Sequence, residues 1–395
     1  MRAYPLLITL FLIINLCHGQ QLIYDDKIPV KKLRVVIEQS RGGSVSDMLT
    51  DLEYIPLQGD NKDQIISYVN SIEVIDDKMG IVSGVEGHFF LFDLEGKFVN
   101  KIDKVPGYKI PASRNNNLFY YVANEDDTFA MYNRAFRVRV DLQGNIRDTM
   151  TMNHATVKDD GFGQFVRKEI TLGRSNFKYY GTGQSKNRKK SDVLAFNDSV
   201  IMTYDANDTI LAQWHSEDMT KQQQGKSYMT AGYNTKIFEL DSTGIAKVYE
   251  LILPARNTLD LKSTEAFKTD DFVKFQEYIN NNKDKVISLQ NIKAYKDYII
   301  FQVFRWGQIV WLAYNVKTND VIGLSNIISD KSNDFMPLYD VNNLFAHEDY
   351  LYSFIYPSQV SAAKGKSADE RHTMRQSYLD LEKSKNPILV RFKLK

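Results

Sequence analysis

The sequence holds one cysteine in 395 residues, six histidines and no net charge to speak of: 50 Lys plus Arg stand against 49 Asp plus Glu. A lone Cys17 excludes a disulfide framework and any site built on several thiolates. Balanced charge provides no field to hold a polyanion, so a nucleic-acid partner is excluded. The longest apolar run, "LLITLFLIINL" at residues 6 to 16, has 11 residues. No later segment reaches the roughly 18 needed to cross a bilayer as a helix.

That run follows Arg2 and precedes "CHGQQ", where Cys17 and Gly19 stand two apart. A basic start, an apolar middle and a small-x-small end predict a signal peptide over residues 1–19, cut before Gln20. Lipid attachment at Cys17 is the alternative, disfavoured by bulky Leu16 before it. Removal of 1–19 takes away only Arg2 and leaves 49 charges of each sign. The expectation is a periplasmic or secreted chain without thiol or transmembrane segment, forming one domain over residues 20–395.

One pattern recurs. "GHFFLFDLEGKFVNKI" (87–102), "FRVRVDLQGNIRDTM" (136–150), "KIFELDSTGIAKVYE" (236–250) and "VWLAYNVKTNDVIGL" (310–324) each read strand, turn, strand. Asp93, Asp141 and Asp241 open the turns, where a carboxylate can accept backbone N–H bonds, with Asn315 in that place in the fourth; Gly96, Gly144 and Gly244 follow three later. Aromatic and β-branched flanks suit a half-buried pleated surface. Asp93 and Asp141 are 48 residues apart, Asp141 and Asp241 are 100, and Asp241 and Asn315 are 74. A step of roughly 45 to 50 residues with hairpins is that of a four-stranded propeller blade, and a β-sandwich with similar turns is the alternative.

Two stretches break the β pattern. "KTDDFVKFQEYINNNKDK" spaces Phe272, Phe275 and Ile279 helically behind Thr269 as N-cap. "SADERHTMRQSYLDLEKSK" sets Ser367 and Glu370 at capping-box spacing, with Met374, Tyr378 and Leu381 on one face. Both predict short helices inserted between strands.

The order "YNTKIFELDSTG", "DDFVKFQEYI", "YIIFQVFRWGQIVWLAYNVKTNDVIG", "DFMPLYDV", "KNPILVRFKLK", with "DLEYIPLQGD", "IEVIDDKMGIVSG" and "FFLFDLEGKFVNKI" before it, resembles a family of secreted six-bladed β-propellers of gut-associated Gram-negative anaerobes. The resemblance implies an all-β, six-bladed propeller in the periplasm or at the cell surface, and it assigns no chemistry, since the family's role is largely uncharacterised. "DKVPGYKIP" (103–111) departs from the family in keeping only Pro106 and Gly107 of a richer turn. Because an open ring leaves two sheet edges unpaired, a strand within residues 33–57 is expected to join the blade ending in "ILVRFKLK".

Catalytic chemistry leaves no local mark. His88, His154, His215, His347 and His372 lack metal-ligand spacing, and no nucleophile motif is present, so catalytic residues stay unknown. The acidic groups Glu125-Asp126-Asp127 and Asp159-Asp160 lack the alternation of a calcium loop, so no cofactor is expected, with calcium on a propeller axis left open. Arg305 and Trp306 fall at a hairpin turn in "FQVFRWGQIVWL" and form the leading ligand-binding candidate, an indole beside a guanidinium that can stack on a sugar or aromatic ring; packing of Trp306 is the alternative. Tyr179 and Tyr180, ahead of basic Lys186, Arg188, Lys189 and Lys190, form the second candidate, or else a solvated hairpin.

The sequence therefore points to a non-enzymatic binding module for a small molecule, glycan or envelope protein at the mouth of a propeller channel. A metal-dependent hydrolase or lyase acting on sugars or lactones, and an envelope interaction scaffold, are the alternatives.

Overall fold

The computed structural model describes residues 21–395 except 60, 85–86, 106–117, 120, 126, 133–135, 152–163, 173–174, 183–190, 198, 206–217, 221–224, 231–233, 260–271 and 341–342. The leader with Cys17, the shortened turn after Val105 and the basic stretch 186–190 thus lie outside the described residues. Two compact units are formed, one from residues 1–40 and 158–324, the other from 41–157 and 325–395.

The N-terminal segment supplies β1 (Gln21–Tyr24), β2 (Val30–Arg34), β3 (Arg41–Ser44) and β4 (Leu49–Pro56), with a single helical turn α1 (Val45–Met48) before β4. None of these four pairs with another. Two hairpin sheets of the second unit follow: β5 (Val69–Ile75), β6 (Lys78–Ser83), β7 (Phe89–Asp93) and β8 (Phe98–Ile102), then β9 (Tyr121–Glu125), β10 (Thr128–Tyr132), β11 (Phe136–Val140) and β12 (Ile146–Thr151).

In the first unit β13 (Gln164–Leu172), β14 (Ser175–Thr182), β15 (Ser191–Phe196) and β16 (Ser199–Asp205) take β1 as a fifth strand beside β16. Next, β17 (Asp218–Met219), β18 (Ser227–Thr230), β19 (Lys236–Asp241) and β20 (Gly244–Ile252) take β2, which lies parallel to β20. The fifth sheet runs β21 (Val286–Tyr295), β22 (Tyr298–Arg305), β23 (Gln308–Asn315) and β24 (Val321–Ile328). In the second unit β3 lies against the last half of β24, so close that a Cβ on Gly42 would meet the Asn326 carbonyl oxygen at 2.4 Å. The sixth sheet, β25 (Leu344–His347), β26 (Tyr350–Ile355) and β27 (Ile388–Leu394), is completed by β4, paired antiparallel to β27 from Ile388↔Pro56 to Leu394↔Leu49. The expected closing strand is therefore β4, within the expected residues 33–57.

The recurring turns join the third and fourth strands of four sheets. Asp93 Oδ1 accepts from the N–H groups of Glu95 at 3.1 Å and Lys97 at 2.8 Å. Asp141 Oδ1 accepts from Gln143 and Asn145 at 2.9 and 2.8 Å, Asp241 from Thr243 at 2.7 Å, and Asn315 from Lys317 and Thr318 at 2.9 and 3.0 Å. Gly96 and Gly144 take the left-handed φ of 81° and 84° that the turn requires. A second repeated reversal, not read from the sequence, is a two-residue turn with Asp in second place: Asp76-Asp77, Lys296-Asp297 and Glu348-Asp349 join first and second strands, their leading residues at φ 50°, 50° and 49°. The two turn types are bonded to each other, since Leu94 N–H donates to the Asp77 carbonyl at 3.0 Å and Val316 N–H to that of Asp297 at 2.8 Å.

Alternating apolar side chains fill the space between sheets within each unit. In the second unit Phe89, Phe129, Met131 and Val138 are fully buried together, and in the first unit Leu289, Ile299, Val303 and Leu312 are. Gly80 of β6 exists for the first of these clusters: a Cβ there would sit 2.6 Å from the Phe89 ring and 2.7 Å from that of Phe129. Gly80→Ala is expected to destabilise by about 1–3 kcal/mol, seen as a lower urea midpoint at unchanged slope.

The first predicted helix is α2 (Phe272–Asn281), whose Phe275 and Ile279 are buried against Ile287 of β21. The second differs from expectation. Instead of starting at Ser367, α3 (Pro357–Asp369) ends just after it and α4 (Gln376–Leu381) follows. Pro357 and Gln359, whose side chain accepts the Tyr356 N–H at 2.8 Å, start the helix earlier. Arg371 N–H then donates to the Ala368 carbonyl at 3.0 Å and His372 N–H to that of Ser367 at 2.8 Å, with Arg371 at φ 50°. That is a Schellman stop, and it converts the apparent capping box into a helix end.

Candidate functional site

Arg305 and Trp306 do stand at the β22–β23 turn, with Arg305 opposite Gln308. Arg305 is only 4% exposed. Its Nη1 donates to Glu38 at 2.6 Å and its Nη2 to Gln308 at 2.7 Å, while its buried Nε has no partner among the described residues. Glu38 also meets Arg256 at 3.3 Å. Burial would raise the Glu38 carboxyl, but its own backbone N–H and the Arg305 guanidinium outweigh that and hold it below the usual carboxylate range. Trp306 is partly covered, packed against the Phe275, Ile279 and Ile287 cluster and edge-on to Phe304 at 6.4 Å. Trp311, two turns of the pleat further on, is fully buried. Tyr179 and Tyr180 lie on β14, whose partners across the ladder are β13 and β15, so a hairpin carries them.

Another arrangement was not foreseen. In the second unit, the turn after β24 runs through Asp330, which accepts from Ser332 N–H at 2.7 Å and from Ser46 N–H and Oγ at 2.9 and 2.7 Å. Two residues in succession, Asp334 and Phe335, then take left-handed φ of 53° and 56°. For residues with a Cβ each such conformation costs roughly 1–2 kcal/mol, and it persists only where the surroundings over-determine it. The surroundings here are polar and specific. The buried Asp334 carboxylate meets His372 Nε2 at 2.7 Å through Oδ1, and through Oδ2 accepts the N–H and Nε–H of Arg375 at 2.9 and 2.8 Å. The Schellman stop is what delivers His372 to this carboxylate.

From there the contacts pass outward. Arg375 lies over the Tyr378 ring at 4.1 Å, Tyr378 stands edge-on to Tyr54 at 5.0 Å, and Asn333 Nδ2 donates to the Tyr54 hydroxyl at 3.1 Å. On the other side the His372 ring meets Phe335 edge-on at 6.0 Å, and Lys366 Nζ lies 5.2 Å over Phe335. Burial would raise the Asp334 carboxyl, but the bonds from His372 and Arg375 overcome it and hold it below the usual range. Burial raises the Tyr54 phenol, only partly opposed by Asn333, so it stays neutral. The result is a buried carboxylate that holds Arg375 outward on the Tyr378 face, with Lys366 on the Phe335 face beside it. His372 looked isolated in sequence because Asp334 lies 38 residues away and Arg375 lies 41 from that carboxylate.

Among the described residues no group of three or more His, Cys, Asp or Glu side chains is placed to hold a metal ion. Nor is any described helix long and apolar enough to cross a membrane.

A family described as "6-bladed beta-propeller" matches residues 30–107. A Bacteroides fragilis protein described as exported is similar in structure, with a TM-score of 0.62 at 11% identity, covering 93% of this chain and 99% of that one. A Bacteroides caccae protein of unknown function gives a TM-score of 0.33 at 7% identity over 70% of this chain and 93% of that one, and a luciferin-regenerating enzyme gives 0.37 at 11% over 84% and 94%. These last two are too distant to bear on function. None of the curated proteins matches the sequence. The fold is a six-bladed β-propeller, as the resemblance implied.

Proposed function

We propose that this six-bladed β-propeller is an exported, non-enzymatic binding module and that the face carrying Arg375 receives its ligand, a small molecule, glycan or envelope protein. Export is supported by the leader read over residues 1–19 and by likeness in fold to a Bacteroides fragilis protein described as exported. The observation that carries the binding reading is the strained Asp334-Phe335 turn, which fixes an arginine side chain that is still 49% exposed. Structure that is held at a cost in conformation, and held so as to present a charge to solvent, is what a recognition site needs.

Catalysis is less well supported by the same residues. The ring nitrogen His372 Nε2 is spent on Asp334, and the two nearby hydroxyls point elsewhere: Ser332 donates to Asp330 at 2.5 Å and Ser367 to the Asp334 carbonyl at 3.1 Å. Neither of these hydroxyls is therefore paired with the His372 ring. In the first unit, taken by itself, partly covered Trp306 and, on β14, Tyr179 and Tyr180 are separate candidate contacts, while Arg305 holds its own turn.

The test is a thermal-shift screen of the exported chain against glycans and small molecules, neutral and charged. A ligand at about 100 times its Kd stabilises by about 2.7 kcal/mol, which raises the midpoint measurably. Arg375→Ala is expected to weaken the best ligand at least tenfold. A ligand unaffected by that change, or one consumed during incubation, would sink the assignment.

A further inference from the structure

Resting on the binding reading above, we infer that the Arg375 face recognises an oxyanion carried on a saccharide, a uronate or a sulfated sugar. One edge of its guanidinium is used within the fold and the other, among the described residues, is not. Its Nε–H and Nη2 point inward, to Asp334 Oδ2 at 2.8 Å and to the Ser332 carbonyl at 2.9 Å. Those two groups share one edge of the planar fork. The second edge, formed by Nη1 and the outer N–H of Nη2, makes no hydrogen bond among the described residues and belongs to a side chain 49% exposed. An arginine tied by one edge offers the other as two parallel donors, the geometry that fits a carboxylate or sulfate bidentately.

One neighbour shares the sign. Exposed Lys366 lies in the same chain of contacts, its ammonium holding no hydrogen bond among the described residues beyond its place over Phe335. Asp334 is the buried counter-charge, and both its oxygens are taken. The exposed acids of that helix end, Asp369 and Glu370, form no ion pair with the cluster among the described residues. Asp334 is thus a positioning residue: it orders the fork and leaves its outer edge for a ligand. A saccharide rather than a bare ion is favoured because the half-buried Tyr378 and Phe335 rings, which carry Arg375 and Lys366 on their faces, leave aromatic surface beside the cations for the C–H groups of a sugar ring.

The test uses the exported full-length chain and isothermal titration with four probes: an oligouronide, the neutral oligosaccharide of equal length, a sulfated oligosaccharide and inorganic sulfate. The expected result is binding of the oligouronide or the sulfated oligosaccharide, weakened by added salt, at least tenfold tighter than the neutral sugar and inorganic sulfate. The stronger of the first two identifies the source of the oxyanion. Arg375→Lys keeps a cation for Asp334 but loses the fork, and should cost tenfold or more. Lys366→Gln, at a surface position that leaves folding alone, should cost about threefold. Equal binding of the neutral sugar, lost with Arg375→Ala, would overturn the oxyanion while leaving the binding site in place. Equal binding of inorganic sulfate would overturn the saccharide. No effect of either substitution on any bound probe would overturn both this inference and the site.

Discussion

A chain lacking residues 20–57 is expected to be recovered unfolded or aggregated, with no cooperative transition in urea and no protease-resistant core. β4 supplies the outer partner of β27 over its whole length, and Leu57 just beyond it is buried with Phe354 and Leu389. Without it, Ile388, Leu389, Val390 and Phe392 stand on an open edge, an apolar strand with unpaired N–H and C=O groups that invites association. The same cut removes β1 from β16, β2 from β20 and β3 from β24. At about 1 kcal/mol net for each ladder hydrogen bond, losing four strands exceeds the 5–15 kcal/mol by which domains are stable. Charge plays a small part in the closure. Arg391 bridges Glu53 at 2.8 Å and Glu95 at 2.9 Å, but both carboxylates are largely exposed, so Glu53→Gln should cost less than about 1 kcal/mol. A soluble, cooperatively folding truncation would show that the sixth sheet stands without β4.

Much of the architecture was legible because its signals are local. Asp93, Asp141, Asp241 and Asn315 bond to N–H groups two to four residues on, so the turn is written in a few adjacent letters and repeats wherever a third strand meets a fourth. The companion turn was equally local, as "IDDK", "YKDY" and "HEDY", yet passed unread because Lys296 and Glu348 are poor predictors of a left-handed φ. Ser367 misled for the same reason: three letters matching a capping box cannot say that the helix began ten residues earlier at Pro357. The candidate site was illegible in principle. Its carboxylate, imidazole and guanidinium come from a turn and a helix end far apart in sequence, and Arg305, exposed by the look of its neighbours, turned out to be held inward by Glu38, 267 residues before it. Periodicity reports burial within one element; it is silent about which distant charge neutralises a given arginine.

Asp334→Ala is expected to be the most damaging single polar substitution of the second unit, at about 3–4 kcal/mol, read as a fall in urea midpoint at neutral pH. Three contributions lead there. Hydrogen bonds to charged partners contribute about 1.5–3 kcal/mol each when fully buried, but Arg375 is half exposed and His372 a quarter exposed, so water recovers much of that loss. The Arg375 N–H loses its acceptor and Lys366, Phe335 and His372 lose the fixed turn between them. Alanine must also hold φ 53° without the local bonding that lets Asp tolerate it, for roughly a further 1 kcal/mol. Asp334→Gly removes only this last cost, so the difference between the two variants measures the strain itself. Asp334→Asn keeps shape and backbone but not charge, and gives the pH test. Because the Asp334 carboxyl is depressed in the folded chain, the folded state binds its proton less readily than the unfolded state, whose ordinary value is 3.8. Its stabilisation is then complete above that value and is lost as pH falls through the lower folded one. The stability gap between the native chain and Asp334→Asn should accordingly be full at pH 7 and shrink below about pH 4. No gap at pH 7, or a gap unchanged down to pH 2, would mean that Arg375 is not held by the charge of Asp334.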